Sequence, residues 1–368
     1  MADSIARVEA IPFRLQSTRP VRFANGTVGA AEHVLVRVTT KDGAVGVAEA
    51  SPRSMTYGES PASVVHALNT WFAPAAIGLD PFATEKLHAK LVDYVGNHTA
   101  RSSLDLAMWD LRGKLAGVSC HRLLGGFTDR VRVSHMLGFG TPQEVAAEAI
   151  EMRTKYGIDA FKIKCGRDVA TDVATAAAVR DALGASAFLY LDANHGWTAD
   201  DALRAVSQIA AADPGIRWIE EPCPAADRIG LAWFASRCVL PIGGDESCTT
   251  LSDTAGMLDR GTCHIVAIKT PRTGFTVSQR ILGLCAGRGV KVTIGNQLDG
   301  SLGSAANVAF AAAHAATCWA PAELAHHLLH ADDLLVEPLR VTDGWATVPS
   351  GVGLGVEIDE DKLARVRV

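Results

Sequence analysis

The sequence predicts an α/β protein: a barrel of alternating strands and helices behind an N-terminal α+β unit. Three observations carry this. Eight short apolar runs after Asp129 begin about 23 to 32 residues apart. Alanine-rich amphipathic stretches, such as Pro142–Tyr156 and Asp168–Leu183, fill most of the gaps. Ahead of them stand strand-like runs followed by a block of helical periodicity, the pattern of a separate α+β unit.

In chain order, Ile5–Phe13 and Glu32–Thr39 read as strands, and Asp42-Gly43 turns the chain into a third, Ala44–Ala50. Gln16–Ala30, with Arg19, Arg22 and Asn25-Gly26, reads as a long loop, and Ser51–Gly58 as a second irregular segment carrying Arg53 and Tyr57. From Pro61 to Leu124 the spacing is helical, most clearly in Ser103–Leu115, and Gly125-Gly126 stops the last helix. The barrel strands are expected at Val131–Leu137, Ala160–Lys164, Phe188–Asp192, Ile216–Glu220, Pro241–Asp245, His264–Lys269, Lys291–Ile294 and around Glu323–His327. Asp333–Val348 and Gly351–Ile358 alternate again and are expected to rejoin the N-terminal unit. This divides the chain into 1–128, 129–345 and 346–368. An open doubly wound sheet is the alternative, but no GxGxxG follows the first strand of any unit.

Composition narrows the function. A net charge of −5 leaves no global basic field for nucleic acid. The eight cysteines are scattered with no CxxC pair, the pattern of reduced thiols in a cytoplasmic protein. Charges interrupt the apolar residues of the N-terminus, so no signal peptide is read there. The longest apolar tract, Leu302–Ala316, contains Asn307 and His314 and reads as a core helix rather than a membrane span.

The chemistry collects at the predicted strand ends. Lys162 and Lys164 alternate with Phe161 and Ile163, so both lysines point to one side of their strand. Taken alone, that pattern fits a solvated edge strand. In a barrel, however, strand ends face a common mouth, and the next three strands end in Asp192, Glu220 and Asp245. Three carboxylates at one mouth repel unless a cation neutralises them, and all-oxygen ligation suits Mg²⁺ or Mn²⁺. His195 has no second histidine or cysteine at ligand spacing, and the HxxxH at His326 and His330 lies away from these acids, so zinc has little support. Lys269 ends the sixth strand, across the ring from Lys162 and Lys164. Such a pair of lysine positions flanking a metal suits moving a proton on or off carbon. Repulsion from Lys162 is expected to depress the Lys164 pKa.

In these residues the sequence resembles the enolase superfamily, and within it the muconate lactonizing (muconate cycloisomerase) subgroup. The resemblance spans the chain and rests on Lys-x-Lys, Asp-x-Asn, Glu-Glu-Pro, Asp-Glu-Ser and a sixth-strand Lys in that order. It implies a (β/α)7β TIM-like barrel with an α+β capping domain. By resemblance Asp192, Glu220 and Asp245 are the Mg²⁺ ligands, Lys164 the acid/base, Lys162 its electrostatic partner and Lys269 the opposite lysine. The seventh strand offers Asn296, Gln297 and Asp299 where mandelate-racemase-like members carry a histidine. Finer stretches resemble the divergent members that perform anti addition: Arg22–Gly26, Ala31–Arg37, Ser134–Gly138, Lys269–Thr276 and Gly295–Gly300. Two positions depart from the pattern: Asp299 stands where many relatives have Glu, and Pro271 interrupts the sixth-strand motif.

The resemblance implies lactonisation of cis,cis-muconate to muconolactone through an enolate intermediate protonated by Lys164. A Mg²⁺ with three carboxylates and three protonated lysines leaves two positive charges for a dicarboxylate. Arg22, Arg53, Tyr57, His98, Asn194, Gln297 and Asp299 are the candidates for binding substrate. The resemblance also implies a homo-oligomer. The same two-lysine site serves dipeptide epimerases, N-acylamino acid racemases and o-succinylbenzoate synthases, which are the enzymatic alternative. A binding protein with a structural cation is the alternative from another class.

Overall fold

A computed structural model describes residues 4–23, 26–212 and 215–368. The chain opens with three antiparallel strands in the order β1 (Ile5–Phe23), β2 (Gly26–Thr40), β3 (Val45–Ala50). The expected loop at Gln16–Ala30 is therefore a correction: it is the outer half of a long β1–β2 hairpin. Pairing slips between Gln16 and Val21. The slipped residues bond instead to the far end of the chain: Thr18 Oγ1 donates to the Leu329 carbonyl (3.0 Å), and Ala331 N–H to the Gln16 carbonyl (2.8 Å). Polar residues stay in a strand here because their partners come from tertiary contacts, which local propensity does not register. Ala24 and Asn25 lie outside the described residues.

The main helix of the N-terminal unit, His98–Ala116, lies directly on β3. A Cβ on Gly46 would sit 2.1 Å from the Ala107 carbonyl oxygen, so only glycine permits this approach. Buried Asp110 joins the helix to two other segments by accepting N–H groups from Val47 (2.8 Å) and Leu354 (2.7 Å).

Seven parallel strands then follow in sequence order: β4 (Arg130–Leu137), β5 (Ala160–Lys164), β6 (Phe188–Asp192), β7 (Ile216–Glu220), β8 (Ile242–Gly244), β9 (Ile265–Ile268) and β10 (Lys291–Ile294). The two-residue β11 (Ala322–Glu323) pairs in parallel with β4, completing the ring of eight. Trp319 bridges its other side, the indole N–H donating to the Val292 carbonyl (2.6 Å). Local signals place the helices between them. Helix Pro142–Tyr156 has a Thr141/Glu144 capping box, Pro142 in its first turn, and Gly157 at φ 69° as its stop. The tract read as a core helix is Ser301–Ala313, buried along its whole length. Among the described residues, no helix is long and apolar enough to cross a membrane.

The end of the chain differs from expectation. Residues Val341–Thr342 (β12) and Trp345–Thr347 (β13) form a hairpin whose second strand pairs antiparallel with the start of β4, not with the N-terminal sheet. β4 is long enough to reach below the barrel ring and offer that free edge. Only the last segment returns: Gly353 bridges Ser119, helix Glu360–Val366 lies near β1, and Val368 N–H donates to the Pro12 carbonyl (3.2 Å).

Buried carboxylates fasten the N-terminal unit to the barrel: Asp105, on helix His98–Ala116, accepts from the Thr276 N–H (3.0 Å) and hydroxyl (2.6 Å), and Glu49 reaches the barrel mouth. Glu49, on β3, accepts N–H groups from Gly300 (2.7 Å) and Gly303 (3.0 Å) at the start of helix Ser301–Ala313 and pairs with His33 (2.7 Å). It thus caps a barrel helix from the other unit. His327 and His330 lie near this contact, and burial pushes both pKa values down to about 4 from the ordinary 6.5. Because the folded pKa lies below the unfolded one, their neutral forms support the fold fully above pH 6.5. That support is lost as pH falls toward 4. Thermal unfolding followed by circular dichroism is expected to show Tm falling through this window, with a shallower fall in His327→Gln. An unaltered slope in the variant would rule out burial of this histidine as a cause.

Candidate active site

Side chains two residues apart share a face of a strand. Along β5, β6 and β7 the inward positions are Lys162 and Lys164, Tyr190 and Asp192, Trp218 and Glu220. Register pairs Lys162 with Tyr190, Lys164 with Asp192, and Asp192 with Glu220. Tyr190 and Trp218 stack at 4.2 Å and form an apolar floor, with the Tyr190 hydroxyl hydrogen-bonded to Ser134 Oγ (2.8 Å). The charged groups stand one layer above, at the C-terminal ends of the strands. Every residue of β5 is buried, so the edge-strand reading of Lys162 and Lys164 does not hold.

Each lysine meets a carboxylate. Lys162 Nζ stands between Glu220 (2.7 Å), Asp192 (3.4 Å) and Glu323 (2.5 Å). Lys164 Nζ contacts Asp192 and the Asn194 side-chain oxygen, each at 2.6 Å. Lys269 pairs with Asp245, which also takes Arg272 Nη1 at 2.7 Å. Burial alone would lower the Lys162 pKa, but Glu220, Glu323 and Asp192 outweigh it and hold it well above the ordinary range. Burial likewise opposes the charge on Lys269, and Asp245 overcomes it. Burial raises Asp245, yet Lys269 and Arg272 bring it well below the usual carboxylate range; Lys164 and Lys162 lower Asp192 in the same way. Glu220 goes the other way. Burial pushes it up, and Asp192 and Asp245 add to the push beyond what Lys162 can offset. Lys162 thus shares its charge with three carboxylates.

A cavity of about 160 Å³ opens above these groups. Arg53, Tyr57, Asn194 and Gln297 line it with the three lysines. Arg22 does not: it is exposed on β1, outside the lining. His98 lines a different cavity, behind Arg272. Asp299 is fully buried beside the mouth, accepting from Ser51 Oγ (2.9 Å) and Asn307 Nδ2 (3.0 Å), and does not reach the cavity. Burial and nearby Glu49 push its pKa up to about 7. Gln297 Nε2 donates to the Ser51 carbonyl, which ties the segment bearing Arg53 and Tyr57 to the barrel rim.

Sequence reasoning passed over Glu323, Glu246, His195 and Arg272 as site residues. Arg272 lies one helical turn after Lys269, in the motif Lys269–Thr276, and that spacing was the available signal. Pro271 occupies the first turn of helix Thr270–Gly287, where its missing N–H costs nothing. The helix kinks at Gly274, at φ 64°, where a Cβ would lie 2.5 Å from the Asp105 carboxylate, so the position requires glycine.

Two sets of groups could hold a cation. Ligand atoms of His195, Glu221 and Glu246 lie within 4.8 Å of one another, the one such set among the described residues. Glu221 is already used in building the loop: Oε1 accepts Ser247 N–H (2.9 Å), Ser247 Oγ (2.7 Å) and Asp245 N–H, while Oε2 faces His195 (3.2 Å). Asp192, Glu220 and Asp245 are instead buried carboxylates on three neighbouring strands, balanced mainly by lysine ammoniums and Arg272. They supply the hard oxygen donors that Mg²⁺ prefers, and the donor set fits.

The comparisons agree with this architecture. Residues 7–125 match the family described as the mandelate racemase / muconate lactonizing enzyme N-terminal domain, and residues 144–362 the enolase C-terminal domain-like family. Muconate cycloisomerase 1-1 of Acinetobacter lwoffii is 32% identical over 98% of this chain and 96% of its own. The crystal structure of a muconate lactonizing enzyme from Mucobacterium Smegmatis complexed with muconolactone superposes with a TM-score of 0.97 at 44% identity, covering 99% of this chain and 100% of that one. A dipeptide epimerase from Enterococcus faecalis V583, complexed with Mg and the dipeptide L-Leu-L-Tyr, gives 0.90 at 29% identity, covering 96% and 99%. The chain is an isomerase of the enolase superfamily and belongs to its muconate lactonizing enzyme subgroup.

Proposed function

We propose that this chain is a muconate cycloisomerase, converting cis,cis-muconate to muconolactone. The charge in the cavity carries the reading. Lys162, Lys164, Lys269, Arg53 and Arg272 balance Asp192, Glu220, Asp245, Glu246 and Glu323. A divalent cation held by Asp192, Glu220 and Asp245 then leaves two positive charges, the complement of a small dicarboxylate. The cavity of about 160 Å³ suits a ligand of that size. The 44% identical neighbour with muconolactone bound supports the same substrate class.

Mg²⁺ (or Mn²⁺), when bound there, supplies Lewis-acid stabilisation of the negative charge that develops on one substrate carboxylate. The chain's own residues do the rest. Arg53, half-buried at the rim, is assigned to the distal carboxylate and aims it at the carbon β to the other one. As the C–O bond forms, the electron pair of the double bond moves to the α carbon. The Lys164 ammonium gives that carbon its proton and is recharged from solvent. Asn194 positions Lys164: its side-chain oxygen accepts from Nζ while its Nδ2 donates to Glu246 (3.2 Å). Tyr57, hydrogen-bonded to Arg272 (3.0 Å), and the Gly26–Val28 part of the hairpin cover the pocket.

A second reading rests on Lys164 and Lys269, which meet Asp192 and Asp245 across three strands. Two lysines so placed could remove and return the α-proton of a dipeptide. Turnover of cis,cis-muconate with Mg²⁺ in D₂O, followed by NMR, separates the two. Lactone carrying one deuterium on the α carbon is expected, with loss of at least about 10³-fold in Lys164→Ala. Exchange at the α position of an L-dipeptide without muconate turnover would overturn the assignment.

Two variants probe the assigned roles. Arg53→Gln is expected to lower kcat/KM for muconate by roughly 10- to 100-fold, the loss of one charge-assisted hydrogen bond, mostly through KM. Asn194→Gly relieves the positive φ of 42° at this position and removes only the side chain. It should lower kcat about 10- to 100-fold with KM and Tm little changed, a split that steady-state kinetics and thermal unfolding report.

A further inference from the structure

Polar groups form most of the lining of the substrate cavity, and its aliphatic side chains are Val28, Met55, Met136 and Leu298. Val28, Met136 and Leu298 join Val21 and Leu329 in a small apolar cluster of their own, apart from the main core. Met136 stands on β4, and Leu298 follows β10. These two strands flank β11, on the far side of the ring from β7. The apolar patch therefore faces Asp192, Glu220 and Asp245 across the mouth. We propose that Leu298 is a specificity-determining residue, which admits an unsubstituted dicarboxylate chain and excludes one carrying an alkyl group on the carbons that face it. The inference rests on the dicarboxylate reading above.

The backbone at Leu298 supports this. Its φ is 65°, a left-handed conformation that glycine adopts freely and leucine rarely does. Asn296 holds it there: the Asn296 side-chain oxygen accepts the N–H groups of Leu298 (2.6 Å) and Asp299 (3.2 Å). Asp299 is in turn fixed by Ser51 and Asn307. Glycine at this position would carry no strain, so a leucine kept there beside a cavity marks a side chain with a task.

Packing makes the patch unyielding. Val21 and Val28, opposite each other in the hairpin, and Leu329 pack in the same cluster, which leaves Leu298 little room to turn away. With one carboxylate at the cation site across the mouth, the carbon chain of the substrate is set against this patch. In a cavity of about 160 Å³ one added methyl group is a large change. An apolar pocket discriminates a single methylene by roughly 10- to 200-fold.

Steady-state kinetics with cis,cis-muconate and its 2-methyl and 3-methyl derivatives tests this. The unaltered chain is expected to favour muconate over at least one methyl derivative by roughly tenfold or more in kcat/KM. Leu298→Gly frees the backbone as well as the space and should cut that preference by about fivefold or more, with a smaller cut in Leu298→Ala. Leu298→Met keeps the bulk and should retain the preference, while thermal unfolding shows the three variants folded. Muconate turned over without any preference, or with one that Leu298→Gly and Leu298→Ala leave unchanged, would overturn the inference alone. So would loss of muconate turnover in both variants, the mark of a merely structural role. No muconate turnover by the unaltered chain would overturn the underlying reading, and the inference with it.

Discussion

The structure depends on neutralising buried charge at the barrel mouth. Asp192, Glu220 and Asp245 are each at most 1% exposed, and carboxylates cannot stay ionised there without partners. Lys162, Lys164, Lys269 and Arg272 provide them from neighbouring strands and the helix that follows β9. Each strand must therefore keep its register, because a slip of one residue would turn a charge into the helical layer. The stacked Tyr190 and Trp218 below close the barrel to water and keep the ion pairs strong.

The N-terminal unit depends on the same principle. Its fastening to the barrel is a second set of buried polar contacts: Glu49 capping helix Ser301–Ala313, and Ser51 joined to Asp299 and Gln297. These fix the segment immediately before Arg53 and Tyr57. The rim of the cavity is thus set by a strand of one unit holding a helix of the other, and its side chains inherit the precision of a hydrogen-bonded joint rather than a free loop.

Much of this was legible in the residues. Four strands, Ala160–Lys164, Phe188–Asp192, Ile216–Glu220 and Lys291–Ile294, match their apolar runs, and β3 and β4 differ only by one residue at their starts, because these runs are short and mostly buried. The helix Pro142–Tyr156 is written in its caps. The hairpin Gln16–Ala30 was not legible, because its polar slipped residues find partners more than 300 positions away. The pairing of β13 with β4 was hidden for the same reason.

By itself, the sequence determined which chemical groups exist and which strand carries each: an Asp, a Glu and an Asp on consecutive strands, flanked by lysines. Period-2 geometry and the order of parallel strands suffice for that. Tertiary structure alone decided which rim residues reach the cavity. Arg53 and Tyr57 line it, while Arg22, His98 and Asp299, equally plausible as letters, do not. It also decided that Glu323 and Arg272 share the ion pairs. The physical reason is that direction along a strand is a local property, whereas distance between chain segments is set only when the two units close on each other.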